Sequence, residues 1–298
     1  MMLFKDHTYQ FEPVILDVKA RQIIKKLPYG QGVRHQLDLY LPVGSGPFPL
    51  IIDLYGGGLL RGEKSSYKLH PSLQFVNDGY AVASPNYSLN SVNSINFPNQ
   101  IAEIRAVIEY CQIHAKQYDL DSNRFFLIGE SSGAQLALLA GASFSAEANL
   151  GHMSGKDFLT PFPKISGIIG LYGPYELDQF QQQFQQLAIK PKFPECGSPL
   201  SFEGIALGKS APNKVPEQVA QANPANYFTT KMPPIMLLAG TADQVVPYLQ
   251  SVNLVQKYLE LVGRLAQTLW LADADHGIAD FDNPTIHRAK LDFLNKIC

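Results

Sequence analysis

Phe125-Phe126-Leu127-Ile128, Gly129-Glu130-Ser131-Ser132-Gly133 and Ala134-Gln135-Leu136-Ala137 follow one another without a break. The first is a short apolar run of the kind found in a sheet covered on both faces, and the last reads as the start of a helix. A strand-to-helix turn this tight crowds its own backbone, so small residues are needed on both sides of the serine. Gly129 and Gly133 meet that need, and the turn lifts the Ser131 hydroxyl above the sheet. A Gly-x-Ser-x-Gly pattern alone arises by chance in about one chain of this length in ten. Its setting between an apolar run and a helix start is what makes Ser131 the candidate nucleophile.

Outward from this turn, strand-like and helix-like segments alternate. Leu37, Leu39 and Leu41 alternate with Gln36, Asp38 and Tyr40, the period-2 mark of a strand with one buried face. Short apolar runs recur at 49–54, 80–84, 165–171, 235–238 and 268–271. Between them, Ile101, Ile104, Ile108 and Cys111 follow helical spacing, as do Leu254, Tyr258 and Leu261, with Gly263 placed to end the helix. A closing helix starts at Pro284 and carries Ile286, Ala289 and Phe293. The pattern predicts a single α/β domain over residues 1–298, a mostly parallel central sheet of about eight strands with helices on both faces.

One region breaks the rhythm. Residues 177–228 contain no clear strand; glutamines cluster at 179, 181–183, 185 and 186, and prolines and glycines follow at Pro191, Pro194, Gly197 and Pro199. An irregular insertion of this length is expected to be a lid or a substrate-binding loop. Phe180, Phe184 and Leu187 form an apolar stripe within it, expected to pack rather than to line a substrate.

A serine hydroxyl needs a base to take its proton as it attacks. Of the seven histidines, His276 is best placed, after the run 268–271 and before Gly277. His35 and His287 read as structural, and His7, His70, His114 and His152 have no motif around them. The acid that orients the imidazole is expected at Asp243, after 235–238 and Gly240, at a strand's C-terminal end where open α/β sheets build their sites. Asp273 and Asp275 are nearer to His276 in sequence, but adjacent side chains generally point apart, and they read as loop or capping residues. No partner ligands complete a metal site around Asp273-Ala274-Asp275-His276. The loop Tyr55-Gly56-Gly57-Gly58 offers backbone N–H donors from Gly57 and Gly58, and Ser132 offers a third, for the oxyanion of a tetrahedral intermediate. The chain order Ser, Asp, His is that of an α/β-hydrolase.

The bulk composition agrees with a compact enzyme. Among 298 residues, 46% are hydrophobic and 17% charged, and the formal charge is -2, which leaves no overall pull toward nucleic acid or an anionic membrane. Three widely spaced cysteines, Cys111, Cys196 and Cys298, match neither a zinc pattern nor a disulfide framework, and Cys111 reads as a small buried hydrophobe. The first ten residues include Lys5, Asp6 and His7 and lack the apolar stretch of a signal peptide, and no run approaches the roughly 20 residues of a membrane span. The expected setting is the cytoplasm, with no cofactor, no metal, a small-molecule ester as partner, and assembly into a homo-oligomer left open.

With these residues in place, the chain resembles the hormone-sensitive-lipase-like and acetyl-esterase-like branch of the α/β-hydrolases. The resemblance runs from about Leu37 to the end. It includes Leu37-Asp38-Leu39-Tyr40-Leu41-Pro42, the glycine loop, Pro85-Asn86-Tyr87-Ser88-Leu89 and Asn223-Pro224-Ala225. It implies hydrolysis of short-acyl carboxylic esters through an acyl-enzyme, with Ser131, Asp243 and His276 as nucleophile, acid and base and Gly57, Gly58 and Ser132 as oxyanion donors. The chain departs from the family in three places: Tyr55 stands where a histidine usually precedes the glycines, Leu59-Leu60 where an aromatic often follows, and Ala134 where a second glycine is usual. An arylformamidase-like amidase would use the same constellation. A non-catalytic relative that binds a ligand or partner is the reading from another class, and such proteins usually lose a member of the triad.

Overall fold

Residues 2–297 are described by a computed structural model, and Cys298 lies outside them. Eight strands form one sheet: β1 (Ala20–Pro28), β2 (Gln36–Pro42), β3 (Phe48–Leu54), β4 (Ala81–Pro85), β5 (Leu120–Glu130), β6 (Gly167–Leu171), β7 (Ile235–Gly240) and β8 (Gln267–Leu271). Their order is β1-β2-β4-β3-β5-β6-β7-β8. β1 and β2 pair antiparallel, as do β2 and β4; every later pair is parallel. The parallel strands therefore all end at one edge of the sheet, which is where α/β folds place their chemistry.

Side-chain alternation on the central strands explains why these runs are apolar throughout. On β3, Leu50, Ile52 and Leu54 face one core while Ile51 faces the other; on β5, Phe125 and Leu127 oppose Phe126 and Ile128. The first core is closed by the helices Asn99–Ile113, Ser132–Ser145 and Leu249–Val262 through Ile101, Leu136 and Leu254. The second is closed by the helix Pro284–Ile297 and the turns around Phe75, through Ile286 and Phe293. Among the described residues, no helix is long and apolar enough to cross a membrane.

Three readings of the sequence are corrected. The strand β1 was not anticipated: it lies at the sheet edge, its pairing with β2 slips twice, and Lys26 adopts φ 59°, so no clean alternation is written into it. β2 does not have one solvated face. Asp38 is 2% exposed and Tyr40 1%, because the Asp38 carboxylate is satisfied by the Lys64 ammonium at 2.6 Å, the Ser65 hydroxyl at 2.7 Å and the Lys26 N–H at 2.7 Å. In the helix Leu249–Val262, Leu254 and Tyr258 are buried but Leu261 is exposed, and Val262 takes the inward position before Gly263 closes the helix in the left-handed region.

Residues 177–228 hold the short helices Phe180–Gln186, Phe202–Ala206 and Pro216–Ala222 and no strand. Leu177, Phe180, Phe184, Cys196, Leu207, Val219 and Ala222 build a third, smaller apolar cluster there, which also takes in Val246. Leu187, the last member of the stripe, is only half-buried. One glutamine of the cluster is not a surface residue: Gln183 is buried and its Oε1 accepts from Gln250, which in turn caps the Tyr175 and Glu176 N–H groups at 2.6 Å. These bonds tie the segment to the helix Leu249–Val262.

Candidate active site

The elbow after β5 is as crowded as its glycines imply. A Cβ on Gly129 would sit 2.2 Å from the Gly133 carbonyl oxygen, and one on Gly133 only 1.9 Å from that of Leu54, so neither position accepts a side chain. Ser131 itself lies at φ 54°, ψ -126°, a conformation that costs an L-residue of order 1–3 kcal/mol. The strain is held by its surroundings: the Ser131 N–H donates to the Leu171 carbonyl at 2.9 Å, and its own carbonyl accepts from the Ala134 and Gln135 N–H groups at the head of the helix Ser132–Ser145.

Three strand ends bring the polar groups together. Asp243, beyond β7, is 1% exposed; its Oδ1 accepts from the Val245 and Val246 N–H groups at 2.7 and 2.8 Å. Its other oxygen lies 2.7 Å from Nδ1 of His276, which follows β8. Nε2 of His276 lies 2.9 Å from the Ser131 hydroxyl. A proton on Nδ1 is thus directed to the carboxylate, leaving Nε2 as acceptor for the serine. Asp275 is not part of this line: its carboxylate accepts from the Gln244 and His276 backbone N–H groups and so shapes the loop.

The glycine loop follows β3. Gly57 and Gly58 adopt φ 136° and 63°, and among the described residues neither N–H donates a hydrogen bond. The loop is stitched to the elbow by the Leu59 N–H, which donates to the Ser132 hydroxyl at 3.2 Å. Tyr55, in the place of the family histidine, is 2% exposed and stacks on Tyr87 with ring centroids 4.4 Å apart. The Tyr87 hydroxyl donates to the Tyr55 carbonyl at 2.5 Å, and Arg34 donates to the Tyr55 hydroxyl at 2.6 Å and to the Gly62 carbonyl at 2.9 Å. Burial pushes the Tyr55 phenol far up, so it stays neutral beside that guanidinium. The tyrosine therefore fixes the root of the loop by stacking and hydrogen bonds.

Sequence reasoning missed other residues at the site. Tyr172, just past β6 at φ 41°, packs its ring edge-on to His276 with centroids 4.7 Å apart. Its position one residue beyond an apolar run is the only cue that marked it. Phe4, from the N-terminal turn Phe4–Asp6, lies against Gly58: a Cβ there would meet its ring at 2.5 Å and Phe202 at 2.9 Å. The Arg61 guanidinium lies 3.9 Å over the Phe4 ring and donates to the Phe4 carbonyl at 2.7 Å, while Glu195 accepts from the Phe4 N–H at 2.5 Å.

Comparison with known proteins places this geometry in a family. The BD-FAE family model matches residues 37–258. The isoprenylcysteine alpha-carbonyl methylesterase ICME of Arabidopsis thaliana is 24% identical over 86% of this chain and 57% of its own length. Esterase LipC of Mycobacterium tuberculosis is 21% identical over 96% of the chain and 68% of its own. The chain thus spans between half and about two thirds of the length of these relatives. Among solved structures, a truncated carbohydrate esterase from gut microbiota superimposes with a TM-score of 0.78 at 22% identity, covering 96% of this chain and 99% of that one. With three quarters of its length matched by one family model and the fold shared almost end to end, the chain belongs to the BD-FAE family and has the α/β-hydrolase fold.

Proposed function

We propose that the protein is a serine carboxylesterase acting on small esters with short acyl groups. The observation that carries this reading is the continuous line from the Asp243 carboxylate through the His276 ring to the Ser131 hydroxyl, with contacts of 2.7 and 2.9 Å. Ser131 attacks the acyl carbon while His276 Nε2 takes its proton. Asp243 holds the ring in the tautomer this needs and stabilises its positive charge. The negative charge on the former carbonyl oxygen is met by the N–H groups of Gly57, Gly58 and Ser132, each such donor being worth about 3–4 kcal/mol in comparable sites. Collapse of the intermediate expels the alcohol, protonated by His276, and leaves the acyl group on Ser131. Water, deprotonated by the same imidazole, releases the acid.

Relatives named esterase and methylesterase support ester over amide cleavage. The short acyl preference is supported by Phe4 and Phe202, whose side chains occupy the space beside Gly58. Residues 177–228 serve as the lid: Phe202 belongs to them, and their apolar cluster reaches Val246, three residues past the acid.

The test is hydrolysis of p-nitrophenyl esters from acetate to laurate, with Ser131→Ala as control. Turnover that falls steeply beyond butyrate and drops by about 10⁶-fold in the variant is expected. Activity retained by the variant would remove Ser131 from its role. Absence of turnover on every ester, from protein that still reacts with a fluorophosphonate at Ser131, would replace the ester reading with the amidase one.

A further inference from the structure

Glu130, between Gly129 and the nucleophile, is a carboxylate only 7% exposed. Its Oε1 accepts from the Gly56 N–H at 2.6 Å and from the Lys68 ammonium at 2.8 Å. Lys68 comes from the turn Tyr67–Leu69, beyond the glycine loop, so one oxygen joins three separate stretches of chain. Gly56 is seated hard against the elbow: a Cβ there would lie 2.7 Å from both the Glu130 carbonyl oxygen and the Ser131 Cβ.

Burial works to raise the Glu130 carboxyl, but the Lys68 ammonium and the Gly56 N–H outweigh it and hold the group below its ordinary value. Burial likewise works to lower Lys68, and the Glu130 carboxylate more than offsets it. Both are therefore ionised at neutral pH. His276, Tyr172 and the buried Asp53 also interact electrostatically with Glu130. A carboxylate so placed has two opposite consequences. Its charge-assisted bond to the Gly56 N–H stiffens the loop that carries Gly57 and Gly58. Uncompensated, the same charge opposes an oxyanion forming beside that loop.

On the reading of Ser131 as nucleophile and Gly57 and Gly58 as oxyanion donors, we propose that the Lys68–Glu130 ion pair positions the oxyanion loop. The carboxylate anchors Gly56 to the elbow, and the ammonium cancels the charge that anchoring brings into the site. Neither side chain touches the substrate; both act through the loop.

The test uses the full chain with Lys68→Met, Glu130→Gln and the double variant, on p-nitrophenyl acetate, with kcat expressed per Ser131 titrated by a fluorophosphonate. This normalisation removes any difference in the folded fraction. Lys68→Met is expected to lower kcat about tenfold with KM within about twofold, since the cost falls on the charged intermediate. The double variant is expected to recover most of that loss, because the glutamine carbonyl still accepts from Gly56 while the charge is gone. Wild-type kcat in Lys68→Met, or a double variant as slow as the single one, overturns the proposal. If Lys68→Met does not fold, the double variant is compared with Lys68→Met/Glu130→Ala, which removes the anchor of Gly56 as well as the charge. The alanine variant is expected to be about tenfold slower per titrated Ser131, and equal rates overturn the proposal. If the wild type hydrolyses no ester, the esterase reading fails separately, and the same comparison is made on the rate of phosphonylation of Ser131.

Discussion

The elbow and residues 177–228 both border the same site, yet they are built by different physics. The elbow is determined by backbone against backbone: Gly129, Gly133 and Gly56 each stand where a single added carbon would collide with a main-chain atom. The 177–228 segment is held largely by side chains, through a small apolar cluster and bonds such as that of Gln183 and Gln250. To these it adds a local backbone constraint at Gly204 and a bond from the Lys192 N–H to the Gln244 carbonyl at 2.8 Å. Backbone contacts leave no alternative geometry, whereas a side-chain cluster can repack. Ser131 thus sits where its own backbone leaves little freedom, beside a segment whose packing can change, and we propose that substrate choice resides in that segment.

Three substitutions probe this contrast. The largest effect is expected from Gly133→Ala, whose methyl would be driven into the Leu54 carbonyl. A loss of about 3 kcal/mol or more in unfolding free energy should appear in denaturant titration. An unchanged midpoint would mean that the elbow can yield, and the contrast would collapse. A middle effect is expected from Phe4→Ala, which empties space beside Gly58 and next to Phe202. The ratio of kcat/KM for the hexanoyl over the acetyl ester should rise about tenfold. An unchanged ratio would show that Phe4 does not bound the acyl group.

The smallest effect concerns Glu203, in the helix Phe202–Ala206. Burial pushes its carboxyl from an ordinary 4.5 up to about 7, although it accepts from the Gly197 N–H at 2.6 Å. Its pKa is higher folded than unfolded, so folding favours the protonated form. The stabilisation is complete below about 4.5 and is lost as pH rises through about 7. Amide exchange around residues 197–207, corrected for its intrinsic pH dependence, should therefore speed up over that window. Glu203→Gln should abolish this dependence. A variant that keeps the wild-type pH dependence would assign the opening of this segment to another group.

How much was legible follows from the range of the forces. Ser131, Asp243 and His276 each follow a short apolar run, and the glycines around them register a backbone constraint that acts within a few residues. Tyr87 was visible only as part of a resemblance; that its hydroxyl reaches the Tyr55 carbonyl depends on two strand ends lying side by side. Lys68 and Phe4 left no trace at all, since their partners are 62 residues away at Glu130 and 191 away at Glu195. β1 was missed because an edge strand needs no apolar alternation. The solvated face read into β2 was wrong because polar Asp38 is buried with its own partners.

By itself, then, the sequence determined the α/β alternation, the elbow and the order in which Ser131, Asp243 and His276 meet the sheet edge. Periodicity and glycine placement record local backbone geometry, and local geometry is written residue by residue. Only the tertiary structure decided what surrounds those groups: Tyr172 on His276, Phe4 and Phe202 beside Gly58, and Lys68 paired with Glu130 behind the glycine loop. Those contacts arise when strands far apart in the chain end at one edge, and nothing in a residue's immediate neighbours encodes which distant side chain it will meet.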